Sequence, residues 1–188
     1  SRRASATTAV GPAFSEFVAE GAPIFRRGKI TGETVTDSYF YEGCLIWGIR
    51  GEDVELAVFA WTPCGLLGPF PDYADAEGAV DLCTRGEPFD LAFKLPCSRA
   101  VKESLNRIFN EPSPSERAAE LAHVVRGIFS TDHVAGDLRV FIIRIGDSKT
   151  YVVMNSAGKV LASSLNWDEI LVALFSLWEE EQKPPGFT

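Results

Sequence analysis

The sequence predicts an α+β fold, mainly antiparallel sheet, in which an early β-hairpin and a C-terminal three-stranded meander are packed by a helical hairpin and a C-terminal amphipathic helix. Three observations carry this. Residues 39–61 hold two β-rich runs around the turn-forming Arg50-Gly51-Glu52-Asp53. Residues 98–125 show apolar positions at helical spacing, interrupted by Asn110-Glu111-Pro112-Ser113-Pro114. Residues 138–162 alternate around two compact turns and lead into a capped helix. The order lacks the strand–helix alternation of a parallel doubly wound sheet.

Residues 1–11 are small and polar and read as a flexible tail, followed by one globular domain over 12–183 and a short tail at 184–188. Ala13 to Ala19 has the composition of a short helix burying Phe14, Phe17 and Val18. In the hairpin's second strand Val54, Leu56, Val58 and Ala60 form one apolar face, while Glu55, Phe59 and Trp61 lie opposite, so both faces are expected to be partly covered. Residues 62–78 contain Pro63, Gly65, Gly68, Pro69, Pro71 and Gly78 and read as a long loop. Residues 79–83 suggest a short strand, and residues 89–95 another with Phe89, Leu91, Phe93 and Leu95 on one face. Ser98 is a natural N-cap for a helix to Phe109, and Ser115 for a second helix. The meander comprises 138–145, 150–154 and 159–162. Asn166 with Glu169 three residues on gives a capping-box pattern ahead of Ile170, Leu171, Leu174, Leu177 and Trp178.

Composition sets the outer limits. The chain has 188 residues, 46% hydrophobic and 23% charged, ordinary values for a globular protein. Its net charge of −8 and pI near 4.8 argue against nucleic acid, because phosphate contacts would have to come from the short basic runs Arg2-Arg3 and Arg26-Arg27-Gly28-Lys29. No apolar run approaches the roughly 18 to 20 residues of a membrane-spanning helix, so membrane insertion is not expected. Ser1 to Val10 lacks the apolar stretch of a secretory signal. Cys44, Cys64, Cys83 and Cys97 are widely spaced among apolar residues, and free thiols in a reducing, intracellular and cytoplasmic setting are expected.

Catalytic and metal patterns are thin. Soft-metal sites use Cys or His pairs two to four residues apart, and none is present, so neither metal nor cofactor is expected. The acidic run with Asp72, Asp75 and Glu77 lacks the central glycine and terminal glutamate of a calcium loop. His123 falls within a helix and His133 in a polar stretch after Asp132. Cys64, between Pro63 and Gly65, is the best thiol candidate for a nucleophile, and Asp132, His133 and Cys64 are the first candidates for a catalytic site assembled from dispersed residues. Arg2-Arg3-Ala4-Ser5 matches what basophilic kinases read, which marks Ser5 for phosphorylation.

The end of the chain, residues 138–181, resembles the C-terminal part of SUKH-superfamily domains: a meander closing in 159–162 and a capped amphipathic helix. The resemblance implies binding to a toxin or other protein, although the helical pair at 98–129 has no counterpart in it. By elimination the expected function is a non-catalytic protein-interaction module. It would bind a protein partner through the 62–78 loop and adjoining sheet, with Trp61, Leu66, Leu67, Phe70 and Tyr73 as anchors and Asp72, Asp75 and Glu77 as a charged rim. That loop could equally fold down as a cover on the sheet. The alternatives are a small hydrolase or transferase with a dispersed site, and a structural subunit of a larger or viral assembly.

Overall fold

The computed structural model describes residues 34–50 and 56–182. The expected tails, Ser5, and the short helix at 13–19 lie outside the described residues. The fold is α+β, with two antiparallel sheets in strict chain order. The first sheet is β1 (Thr34–Tyr41), β2 (Cys44–Arg50), β3 (Ala57–Thr62), β4 (Gly65–Phe70) and β5 (Lys94–Leu95). The second is β6 (Val125–Ala135), β7 (Leu138–Ile145), β8 (Ser148–Met154) and β9 (Val160–Ser164). Helices α1 (Tyr73–Thr84), α2 (Arg99–Phe109), α3 (Pro114–Val124) and α4 (Trp167–Gln182) complete it.

Strand alternation assigns each side chain to a layer. Leu45, Trp47, Ile49, Ala57, Phe59 and Leu66 turn to a central core shared with α2, α3 and the inner face of the second sheet, where Phe141, Ile143, Ile145 and Val152 lie. Their neighbours Cys44, Ile46, Val58, Ala60, Leu67 and Phe70 turn outward and are covered by Ala76, Ala79 and Val80 of α1. Across the second sheet, Leu138, Val140 and Val153 are covered by Ile170 and Leu174 of α4. Both faces of β3 are therefore packed, as its mixed pattern suggests.

The expected loop at 62–78 is overturned. It contains the end of β3, a two-residue turn, the whole of β4 and the first half of α1. The turn at Pro63-Cys64 is closed by Thr62, whose Oγ1 donates to the Gly65 carbonyl at 2.9 Å and accepts from the Cys64 amide at 3.0 Å. Gly68 and Pro69 are accommodated by a register shift between Val58 and Ala60, where β4 bulges against β3. Gly68 has φ +140°, and a Cβ there would stand 2.8 Å from both the Phe59 ring and the Val58 carbonyl, so the bulge admits only glycine. Pro69 lies beyond the stretch of β4 that β5 pairs, where its missing N–H breaks no ladder bond.

Other boundaries move for local reasons. Residues 39–49 hold two strands, because Glu42-Gly43, with φ of 49° and 74°, makes a tight hairpin turn. The strand expected at 79–83 is the C-terminal half of α1, and the one expected at 89–95 is a 3₁₀ turn (Leu91–Phe93) running into β5. Ser113, not Ser115, caps α3, accepting from the Glu116 amide, and Pro114 takes the first helical position. That helix ends at Val124, so the final meander has four strands and not three. At α4, Asp168 N donates to Asn166 Oδ1, while Glu169 accepts from Ser164 Oγ at 2.6 Å instead of closing a capping box.

Candidate functional site

The residues expected to contact a partner divide into three groups. Leu66, Leu67 and Phe70 are core residues, 1%, 0% and 3% exposed, with Phe70 stacked on Phe93 at 4.5 Å between ring centroids. They cannot anchor a partner because the first sheet already uses both their faces. Asp72, Asp75, Glu77 and Tyr73 serve α1: Asp72 caps it by accepting from the Asp75 amide at 2.8 Å, and Asp75 lies in the first turn, where the helix dipole favours an acid. Glu77 accepts from the Tyr39 hydroxyl at 2.6 Å, and Tyr73 packs against the Tyr39 ring. Trp61 lines a concave surface, with buried Leu66 beneath it.

That surface is a cleft of about 880 Å³ between the β3–β4 turn and α2. Its apolar walls are Trp61 and Pro63 on one side and Pro96 and Phe109 on the other, over a floor of Leu66 and Leu95. Trp61 is held across the cleft, its Nε1 donating to Asn106 Oδ1 of α2 at 3.0 Å. Lys94 enters from β5 and Lys102 from α2. Gly65, at the end of the turn, has φ +115°, a backbone conformation that favours glycine. Among the described residues that line it, no Asp or Glu is present. In a chain of net charge −8, this is a local reversal of sign, and it favours a ligand with an apolar body and an anionic group.

Two cysteines line the same cleft, Cys64 and Cys97. Cys64 is joined by a disulfide to Cys83 in the last turn of α1, with Cα atoms 6.2 Å apart, whereas Cys44 and Cys97 are free. The expectation of four free thiols is thus overturned, because the β3–β4 turn folds against a helix that the sequence reading had not placed there. The inference to a reducing compartment loses its support with it. Cys64 also drops out as a nucleophile, since a disulfide sulfur has no thiolate to offer. Burial pushes the Cys97 thiol up to about 11, an effect that the Lys102 ammonium only partly offsets.

The remaining catalytic candidates lie on other elements. His133 and Asp132 belong to β6, not to a loop, and their side chains lie outside the described residues. His123 sits exposed in the last turn of α3, on a separate cleft of about 730 Å³ with Ser104, Arg107 and Asp147. His123 and Asp147 are exposed and Ser104 half-buried, so water competes for every hydrogen bond that would activate a nucleophile. Glu111 ahead of α3, Glu116 in its first turn and Glu120 one turn further on bring carboxylates within 4.8 Å of one another.

Sequence reasoning missed Lys94, Pro96, Cys97, Lys102, Asn106 and Phe109. Lys102, Asn106 and Phe109 follow helical spacing, a stripe visible in the sequence. That it faces Trp61 depends on the tertiary packing of α2. No family model, curated protein or solved structure matches the chain, so the SUKH resemblance gains no support. Among the described residues no helix is long and apolar enough to cross a membrane.

Proposed function

We propose that this chain is a non-catalytic protein-interaction module, and that its contact surface is the Trp61 cleft, not the 62–78 segment as a whole. The occupant is a short segment of a partner protein that places an aromatic or aliphatic side chain beside a carboxylate. The observation that carries this reading is charge complementarity: two lysines and no acid among the described lining residues, around an apolar trough, in an acidic chain. The volume suits one or two side chains of a peptide. Trp61, Phe109 and the two prolines offer rigid surface that loses little entropy on binding.

Selection from a displayed library of random peptides tests the reading. Enriched peptides should pair Asp or Glu with an aromatic or branched aliphatic residue, and should lose binding to a Lys94→Glu, Lys102→Glu variant of unchanged thermal stability. A library that yields no such enrichment, or peptides that ignore the charge reversal, refutes it.

A further inference from the structure

The Cys64–Cys83 disulfide joins the turn that forms one wall of the Trp61 cleft to α1, the helix on the outward face of the first sheet. That helix is a fixed anchor. Ala76, Ala79 and Val80 are buried against the sheet, and the hydroxyls of Tyr39 and Tyr41 donate to Glu77 at 2.6 Å and to Asp81 at 3.0 Å. The turn is less deeply seated, with Pro63 exposed and Cys64 half-buried. The two hydrogen bonds of Thr62 Oγ1 run within residues 62–65, so they shape the turn without attaching it to another element. The disulfide makes that attachment across a sequence separation of 19. Beside the turn, Lys94 stands on β5, a strand of two residues.

We infer that the Cys64–Cys83 disulfide is a redox switch on the cleft: the oxidised chain holds the β3–β4 turn in place for an occupant, and reduction by a dithiol releases the turn and weakens binding. The inference rests on the reading of the cleft as a peptide site. A thiolate of the dithiol attacks Cys64 Sγ, since Cys64 is half-buried and Cys83 buried. The Cys64–Cys83 bond breaks, its electron pair leaving on Cys83 Sγ, which takes up a proton. The second thiol of the dithiol then gives up its proton and attacks the first dithiol sulfur, and Cys64 leaves with the electron pair and is protonated. The dithiol ends as a disulfide, having passed two electrons and two protons to Cys64 and Cys83.

In the oxidised chain the Pro63 wall is positioned before the occupant arrives. In the reduced chain, binding must also order the turn, and fixing one backbone residue is enough to weaken affinity about tenfold. Lys94 and Lys102 are untouched by reduction, so the preference for an acidic peptide persists while its affinity falls. Cys44 and Cys97 are already free, so the reductant changes this bond and not theirs.

The test compares the oxidised full chain, the chain reduced with dithiothreitol and a Cys83→Ser variant, each verified by thiol counting. Hydrogen exchange read by mass spectrometry should be faster over residues 64–66 in the reduced chain and the variant, with β7 and β8 unchanged. A selected acidic peptide should bind both about tenfold more weakly than it binds the oxidised chain, and reoxidation should restore its affinity. The Lys94→Glu, Lys102→Glu variant separates the two readings. A peptide that ignores the charge reversal refutes the peptide site, whereas one that obeys it but binds oxidised and reduced chains alike overturns the switch. Unchanged exchange over 64–66, or loss of protection throughout β7 and β8, would overturn it as well. If Cys83→Ser fails to fold, the reduced and reoxidised wild-type chain decides.

Discussion

Replacing Phe70 by alanine asks whether the segment at 62–78 is core or contact surface. Phe70 is 3% exposed, lies between β4 and α1, and stacks on Phe93 at 4.5 Å and 22°. Truncating a buried phenylalanine costs about 3 to 5 kcal/mol in lost transfer energy and residual cavity. About 0.5 to 1.5 kcal/mol of this belongs to the ring pair itself. For a domain of this length each kcal/mol moves the midpoint by roughly 2 to 4 °C, so Phe70→Ala should melt roughly 6 to 20 °C below the wild type. Urea unfolding without reductant, keeping the Cys64–Cys83 bond intact, gives the free energy. A double-mutant cycle with Phe93→Ala isolates the ring pair. A loss below about 1 kcal/mol, far under the range for a truncated core phenylalanine, would refute the placement of Phe70 in the core.

Further outcomes follow from single contacts. Gly68→Ala should destabilise by about 3 kcal/mol or more, because its Cβ would meet the Phe59 ring and the Val58 carbonyl at 2.8 Å with φ at +140°; near-wild-type urea unfolding would contradict the bulge. Buried Arg117 donates to the Glu111 carbonyl at 2.8 Å and to Ser38 Oγ at 3.3 Å and lies over the Phe40 ring. Arg117→Ala should therefore cost about 2 to 3 kcal/mol, and Arg117→Lys should recover little of it, since an ammonium cannot reproduce the planar fork; full recovery by lysine would count against this account. The fold holds the Cys97 proton to about 11 against an ordinary 9.0. The native state thus binds that proton more tightly, and the stability it confers is complete below pH 9 and declines as pH rises toward 11. Cys97→Ser should flatten that decline in pH-dependent unfolding, and an unchanged slope would assign it elsewhere.

Periodic signals were the legible ones. The alternation through residues 138–154 and the helical stripe from Val101 to Phe109 each have one face that must be buried, so β7, β8 and α2 follow from the sequence. Residues 62–78 misled because Gly68 and Pro69 are normally breakers. Here the glycine yields to the Phe59 ring and the proline falls where no ladder partner is needed. With β4 unrecognised, its apolar residues looked like exposed anchors. The acids at 72–77 looked like a rim and are instead a helix cap, a first turn and a tyrosine's acceptor. The cleft was hidden for a different reason. Trp61, Lys94 and Lys102 come from three elements, and only the β4–β5 pairing and the docking of α2 bring them together. The disulfide was hidden likewise, since Cys64 and Cys83 are 19 residues apart and meet through the turn against α1.

A charge-swap titration tests the central claim most directly. A selected peptide bearing the carboxylate and its lysine-substituted counterpart are each titrated against the wild-type chain and against the Lys94→Glu, Lys102→Glu variant by isothermal calorimetry. Both lysines are exposed, so the variant should fold normally. The account predicts that charge reversal weakens the acidic peptide by about tenfold or more, in line with coupling of at least about 1.4 kcal/mol, and that the lysine peptide prefers the variant. Equal affinity of the acidic peptide for both proteins would contradict it.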